Sequence, residues 1–200
     1  MITTALPVDS TTVGEPARFL TLAQLEAGLL ALPAAPRDHG RVALLLRRGE
    51  GGRREVLERA LLTPEEGVPG DTWCRLRRPN PEAQIAVMEL ATARLIANGQ
   101  PLELFGDCLF LELDLSKASL PTGSRLRVGG ALMEVTPQPH NGCKKFHARF
   151  GEGALRFVNQ AELRHRNLRG IYLRVVEAGE VGPVMWFPCS PGLSPYNVRR

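Results

Sequence analysis

Arg125-Leu126-Arg127-Val128-Gly129-Gly130-Ala131-Leu132-Met133-Glu134-Val135-Thr136 reads as a β-hairpin, two short strand-like runs joined through a Gly-Gly turn. Its second strand delivers the chain to Gln138-Pro139-His140-Asn141-Gly142-Cys143-Lys144-Lys145-Phe146, where a thiol follows a Pro/Asn/Gly turn and precedes two lysines. Nearby cations and the positive end of a helix favour the ionised form of a thiol, so this setting marks Cys143 as a candidate nucleophile or metal ligand. A lone cysteine is otherwise most often a small core side chain. It is the setting, not the residue type, that argues for chemistry.

Working outward, Leu109, Leu111, Leu113 and Leu115 alternate with Phe110, Glu112 and Asp114, which predicts a strand with one buried face. The apolar run at 42–46 predicts a buried strand followed by a turn at 49–52, and 171–176 predicts a further strand. Residues 55–62 leave helix and hairpin partner open. Two helices are expected. Thr21 with Gln24 forms a capping box before Leu22, Leu25, Leu29 and Leu32, and Pro33 ends that run. Asn80 followed by Pro81 opens a second, with Ile85, Met88, Thr92 and Leu95 on one face and Asn98-Gly99 as its stop. Strands outnumber helices and do not alternate regularly with them, so the expected fold class is β-rich α+β and not a doubly wound α/β sheet.

The organisation read from these elements is an N-terminal arm and short helix (1–40), a main domain (41–181) and a Pro-rich tail (182–200). Residues 1–18 show no period and read as a loose arm. Pro183, Pro188, Pro191 and Pro195 argue against a regular central strand in the tail.

Of the 200 residues, 44% are hydrophobic and 23% charged, which excludes a wholly disordered chain. Cys74, Cys108, Cys143 and Cys189 are widely spaced with no CxxC pair, so neither a structural zinc nor a disulfide scaffold is expected. The first thirty residues lack a basic start followed by an apolar run, and no stretch reaches the ~18 apolar residues needed to span a bilayer. A cytoplasmic location with reduced thiols and no membrane contact is the expectation. The net charge is +4, yet residues 140–174 hold eight Lys/Arg against two acids. Such a concentration around Cys143 points to an anionic ligand such as a phosphate, with a solvated basic face as the bland alternative.

Four segments, in order, resemble the MOSC family, named for the C-terminal domain of molybdenum cofactor sulfurase. They are Gly67-Val68-Pro69-Gly70-Asp71-Thr72-Trp73; Gly106-Asp107-Cys108-Leu109-Phe110-Leu111; Leu120-Pro121-Thr122-Gly123-Ser124-Arg125-Leu126-Arg127-Val128-Gly129 with the strand after it and Cys143; and Arg169-Gly170-Ile171-Tyr172-Leu173-Arg174-Val175 with Gly179-Glu180-Val181. The resemblance covers residues 41–181 and implies a β-barrel-like core with a few flanking helices. It implies that Cys143 is the family's functional cysteine, carrying sulfur as a persulfide or ligating molybdenum in the molybdenum cofactor, whose pterin ends in a phosphate. A basic surround would neutralise both thiolate and phosphate. Three departures stand out: His140-Asn141-Gly142 where many members place Arg and Pro, Cys108 where Asn is more usual, and Pro183 where the family's final Gly-Asp would fall.

The residues expected at the site are Cys143 as the catalytic or metal-binding group, with Lys144, Arg149, Arg169, Asn141 and Asp71 contacting the cofactor. For Arg169, the adjacent Gly170 would allow the backbone to approach a ligand closely. Asp71 has an Asx-turn role as its alternative. His147, four residues past Cys143, would face the same side if a helix begins there, offering a general base or a Cys/His metal pair. The expected partners are a small-molecule substrate and either a cysteine-desulfurase-type sulfur donor, which would carry pyridoxal phosphate on its own domain, or a separate reductase. No nucleotide fingerprint or iron–sulfur cysteine cluster is present in the chain to supply electrons. Two other classes compete: a basic nucleic-acid-binding module, for which no aromatic RNA-binding motif is present, and a metal-free hydrolase using Cys143 and His147.

Overall fold

The computed structural model describes residues 8–183 and the backbone of 186–188. Ten strands and three α-helices follow in order: α1 (Leu22–Ala31), β1 (His39–Arg48), β2 (Arg54–Val56), β3 (Ala60–Leu62), β4 (Ile85–Glu89), α2 (Leu90–Ala97), β5 (Leu109–Glu112), β6 (Arg125–Val128), β7 (Ala131–Val135), α3 (Lys144–Asn159), β8 (Ile171–Glu177), β9 (Gly179–Val181) and β10 (Trp186–Pro188). Seven strands form a curled sheet in the order β10-β1-β5-β4-β8-β7-β6, a half-barrel, with β2 paired to β1 and β3 paired to β9. The curl brings β10 against β6. The fold is therefore the β-rich α+β arrangement expected, with helices at its flank.

Two cores explain why the sheet curls and where the helices sit. Val42, Leu45, Val87, Leu109, Leu111, Met133 and Leu173 fill the concave side. Leu46, Met88 and Phe110 point the other way and pack with Leu25, Phe105, Phe146 and Phe150 beneath the helices. β5 is thus apolar on both faces at Phe110, which is fully buried, and the expectation of one buried face is corrected. Strands at the centre of a covered sheet lose their alternation because both sides exclude water. The β6–β7 hairpin, the 171–176 strand and the Thr21/Gln24 capping box all form as read.

The largest correction concerns residues 80–98. Asn80 does cap, accepting from Glu82 N at 3.0 Å, but it caps only the 3-10 turn Pro81–Ala83. The chain then enters β4, parallel to β5 and antiparallel to β8, and only afterwards α2. Ile85-Ala86-Val87-Met88 is a short apolar run that periodicity cannot assign, and a position between two strands that satisfy its backbone on both sides settles it. The helix stops where expected, at Asn98 with φ 46°. Residues 55–62 resolve into β2 and β3.

The arm is also corrected. From residue 8 it is docked: Gly14 N donates to Ala148 O at 3.2 Å, and Asp9 accepts from Thr11 N and Thr12 N. Residues 1–7 lie outside the described residues, as does most of the Pro-rich tail. Trp186–Pro188 forms an edge strand on β1. No described helix is long and apolar enough to cross a membrane.

Candidate functional site

β7 leads through residues 136–142 to Cys143, the N-cap of α3. Cys143 makes no side-chain cap bond and is exposed, while His147 N donates to its carbonyl at 2.9 Å to begin the helix. Gly151, with φ 82°, breaks α3 into two segments. The second segment places Asn159 beside the loop: Gly142 N donates to Asn159 Oδ1 at 3.0 Å, and Asn159 Nδ2 donates to Gly142 O at 3.4 Å. A Cβ on Gly142 would lie 2.8 Å from Leu155 Cδ1, so the loop packs closely on the second segment. The loop that presents Cys143 is therefore clamped by its own helix.

Cys143 opens onto a cavity of about 1030 Å³ whose walls carry Arg48, Arg54, Arg75, Lys145, Arg149 and Arg169. Asn141, His140 and Tyr172 also line it. A second cavity of about 550 Å³ lies on the other side of residues 139–142 and shares His140, Asn141 and Arg169.

Three of the six expected residues, Arg149, Arg169 and Asn141, meet Cys143 on this cavity; Lys144 and Asp71 do not line it, and Lys145 takes the position expected of Lys144. Arg169 is held by Asp107, with Nη1 at 3.0 and 2.8 Å from the two carboxylate oxygens, and its guanidinium lies 5.1 Å from the Phe146 ring centroid. Gly170 admits the backbone of β4, since a Cβ there would lie 2.0 Å from Val87 O, and it also lines the second cavity beside Arg169. Arg149 is buried and donates to the carbonyls of Thr12 at 3.3 Å, Leu104 at 2.8 Å, Asp9 at 3.2 Å and Ser10 at 3.5 Å. Burial lowers its guanidinium below the ordinary value, a charge on Cys143 opposes this, and Arg169 adds to it.

Asp71 stands behind the wall. Its oxygens accept from Arg48 N at 2.7 Å, Arg48 Nε at 3.0 Å, Arg48 Nη2 at 2.6 Å and Trp73 N at 2.8 Å. Burial by itself would raise its carboxyl, but the hydrogen bonds and charge of Arg48 outweigh that and hold it below the usual range. It orients Arg48 toward the cavity. His147 does not line the cavity; its Nε2 lies 3.5 Å from Glu152 Oε2 and it is half exposed, so the Cys143/His147 pairing is not built. The basic stretch 140–174 is likewise no continuous face, because Arg149 and Arg169 are buried and Arg174 pairs with Glu134.

Sequence reasoning missed Arg48, Arg54, Asp107, His140 and Tyr172. A signal was present for two of them. Each Gly-Asp pair, Gly70-Asp71 and Gly106-Asp107, places a buried carboxylate against an arginine of the wall, and a buried acid requires a cation. His140 sits with its ring centroid 4.4 Å from that of Tyr172 and Nδ1 3.6 Å from Asp107 Oδ1. Burial lowers its imidazole to about 3, Arg169 reinforcing the effect against Asp107, so it is neutral near pH 7. Arg54 Nε, Arg169 Nε and His140 Nδ1 are buried without a hydrogen-bond partner among the described residues. No cluster of three His, Cys, Asp or Glu side chains among the described residues could hold a metal ion. The protein therefore offers a metal at this cavity a single thiol, surrounded by cations.

The family model for the MOSC domain matches residues 68–183. Among solved structures, the chain is similar to a protein titled only as hypothetical (19% identity, TM-score 0.56, 79% of this chain and 71% of that one). It is also similar to the YuaD protein of Bacillus subtilis (17%, 0.53, 78% and 97%) and to YiiM of Escherichia coli (20%, 0.50, 76% and 71%). These likenesses concern the fold. No curated protein matches the chain.

Proposed function

This chain belongs to the MOSC domain family, and from that premise we propose that its cationic cavity holds the molybdenum cofactor, with Cys143 as a ligand to the metal. The observation that carries this reading is the co-location of an exposed thiol with three buried side-chain nitrogens that lack partners, on Arg54, Arg169 and His140. Each such nitrogen costs roughly 1–3 kcal/mol unpaired, and a polar ligand in the cavity would offset that cost. The residues present fit the group: guanidinium and ammonium donors suit its phosphate, and a soft thiolate suits its metal.

When bound, the cofactor supplies two-electron redox chemistry at its metal. The chain's own residues do the rest. Arg48, aimed by Asp71, and Arg54 and Lys145 offer donors to phosphate oxygens; Arg149 places positive charge beside Cys143; the Asn159 clamp keeps the Cys143 loop in place. His140 stays neutral and offers a hydrogen bond without adding charge. In this reading a separate reductase supplies electrons and the substrate is a small N-hydroxylated molecule.

A second reading keeps the same cysteine. Cys143 is exposed at the cavity mouth and not enclosed, as a thiol must be to receive sulfur from a cysteine-desulfurase-type donor and hold it as a persulfide. The two readings separate in one experiment. Protein purified from a molybdenum-replete host is analysed for molybdenum and by intact mass, wild type beside Cys143→Ala. Stoichiometric molybdenum lost in the variant supports the ligand role; a mass gain of one sulfur atom without molybdenum supports the carrier role; molybdenum retained equally by both removes Cys143 as a ligand.

A further inference from the structure

β1 and β2 pair so that Arg48 faces Arg54 directly across the hairpin, while the next pair, Arg47 with Glu55, is complementary and forms a salt bridge. Like charges placed opposite one another destabilise a sheet, and a local violation of this kind marks a place built for something else. Arg149 joins them on the same cavity wall. Asp71 compensates Arg48, but among the described residues Arg54 has only the carbonyl of Gly52 as a hydrogen-bond partner and its Nε has none. Gly106 makes room for it: with φ 76°, it would bring a Cβ within 2.9 Å of Arg54 Nη2.

We infer that the Arg48, Arg54 and Arg149 corner of the cavity is a subsite for a terminal diphosphate group, with Arg54 as its central ligand. Charge decides between one phosphate and two. Arg48 and Arg169 are already balanced by Asp71 and Asp107. Arg54, Arg75, Lys145 and Arg149 line the cavity with no carboxylate partner among the described residues, against one lining acid, Glu50. A phosphate monoester brings at most about −2 at neutral pH, which leaves this wall positive, and a terminal diphosphate brings about one charge more. Gly49, Gly51 and Gly52 line the same corner, where bare backbone can approach phosphate oxygens. Burial, with repulsion from Arg149 and Arg48, lowers the Arg54 guanidinium to about 10, so an anion here would offset that repulsion. This inference rests on the cavity being a ligand site but not on the role of Cys143, and it gives Arg48 and Arg54 a diphosphate in place of the single phosphate assigned to them above.

The test is calorimetric titration of the full chain at pH 7 and fixed ionic strength with inorganic phosphate, pyrophosphate, AMP and ADP. Pyrophosphate and ADP are expected to bind roughly tenfold or more tightly than phosphate and AMP, the size of one charge-assisted hydrogen bond. Arg54→Gln should weaken both by a similar factor while its unfolding midpoint holds or rises, since a repulsion is removed. Equal binding of phosphate and pyrophosphate, no saturable binding, or an Arg54→Gln variant that binds like wild type each overturns the inference. Molybdenum retained by a protein that ignores pyrophosphate would overturn it while leaving the proposed function standing.

Discussion

Asp107 holds Arg169 through a single nitrogen, Nη1, which lies 3.0 Å from one carboxylate oxygen and 2.8 Å from the other, with both side chains buried. The pair ties the entrance of β5 to the entrance of β8, two strands separated in the sheet by β4. It also leaves Arg169 Nε without a partner at the cavity wall. A structural bond and a free donor thus reside in one guanidinium.

Breaking that pair from one side leaves a buried charge alone. Asp107→Asn is expected to lower stability by about 3–5 kcal/mol, read as a shift in the urea midpoint at pH 7. A loss under about 1 kcal/mol would mean that Arg169 finds water or another acceptor.

His140 makes stability depend on pH. Its folded-state value of about 3 lies below the ordinary 6.5, so the unfolded chain binds the extra proton first. The stabilisation is complete above pH 6.5 and drains away as pH falls toward 3, at up to about 1.4 kcal/mol per pH unit. Urea midpoints measured from pH 7.5 to 4 should decline in the wild type and decline less in His140→Gln. Asp71 acts at lower pH, its contribution being lost only below its ordinary 3.8.

The thiols should react in order of access. Cys143 is exposed, Cys74 is half-buried and donates to Asp71 O at 3.0 Å, and Cys108 is buried with its thiol pushed up to about 11, chiefly by burial. Limiting iodoacetamide at pH 8, followed by peptide mapping, should label Cys143 ahead of Cys74 and leave Cys108 untouched until denaturant is added. Because the Asn159 clamp sets the loop, Asn159→Ala should change the Cys143 rate several-fold while costing only about 1 kcal/mol of stability.

Arg149 pins the arm. Arg149→Met strands the carbonyls of Asp9, Ser10, Thr12 and Leu104 and should cost about 2–4 kcal/mol. Trypsin cleavage after Arg18 should quicken in parallel. An arm that resists protease equally in both proteins would show that the Gly14 to Ala148 bond and the packing around it suffice.

Much of the fold was legible because its signals are local. The capping box at Thr21, the Gly-Gly hairpin and the αL stop at Asn98 depend on neighbours a few residues away, and all formed. Residues 80–98 misled because an N-cap and a four-residue apolar run are equally good local statements of helix and of strand. Only pairing with β5 and β8, partners far along the chain, separates them.

At the site, the chain alone determined that Cys143 would follow a Pro/Asn/Gly turn with positive charge about it, since Gly142 and the lysines are its immediate neighbours, while the helix α3 that it caps was not among the two helices expected. Tertiary structure alone decided which cations surround the thiol. Arg48 and Arg54 arrive from a hairpin roughly ninety residues upstream, Asp107 and Asp71 select which arginines are balanced, and His147 lies off the cavity beside Glu152. Charge acts through space and not along the chain, so the cavity's electrostatics exist only once the fold has brought these segments together.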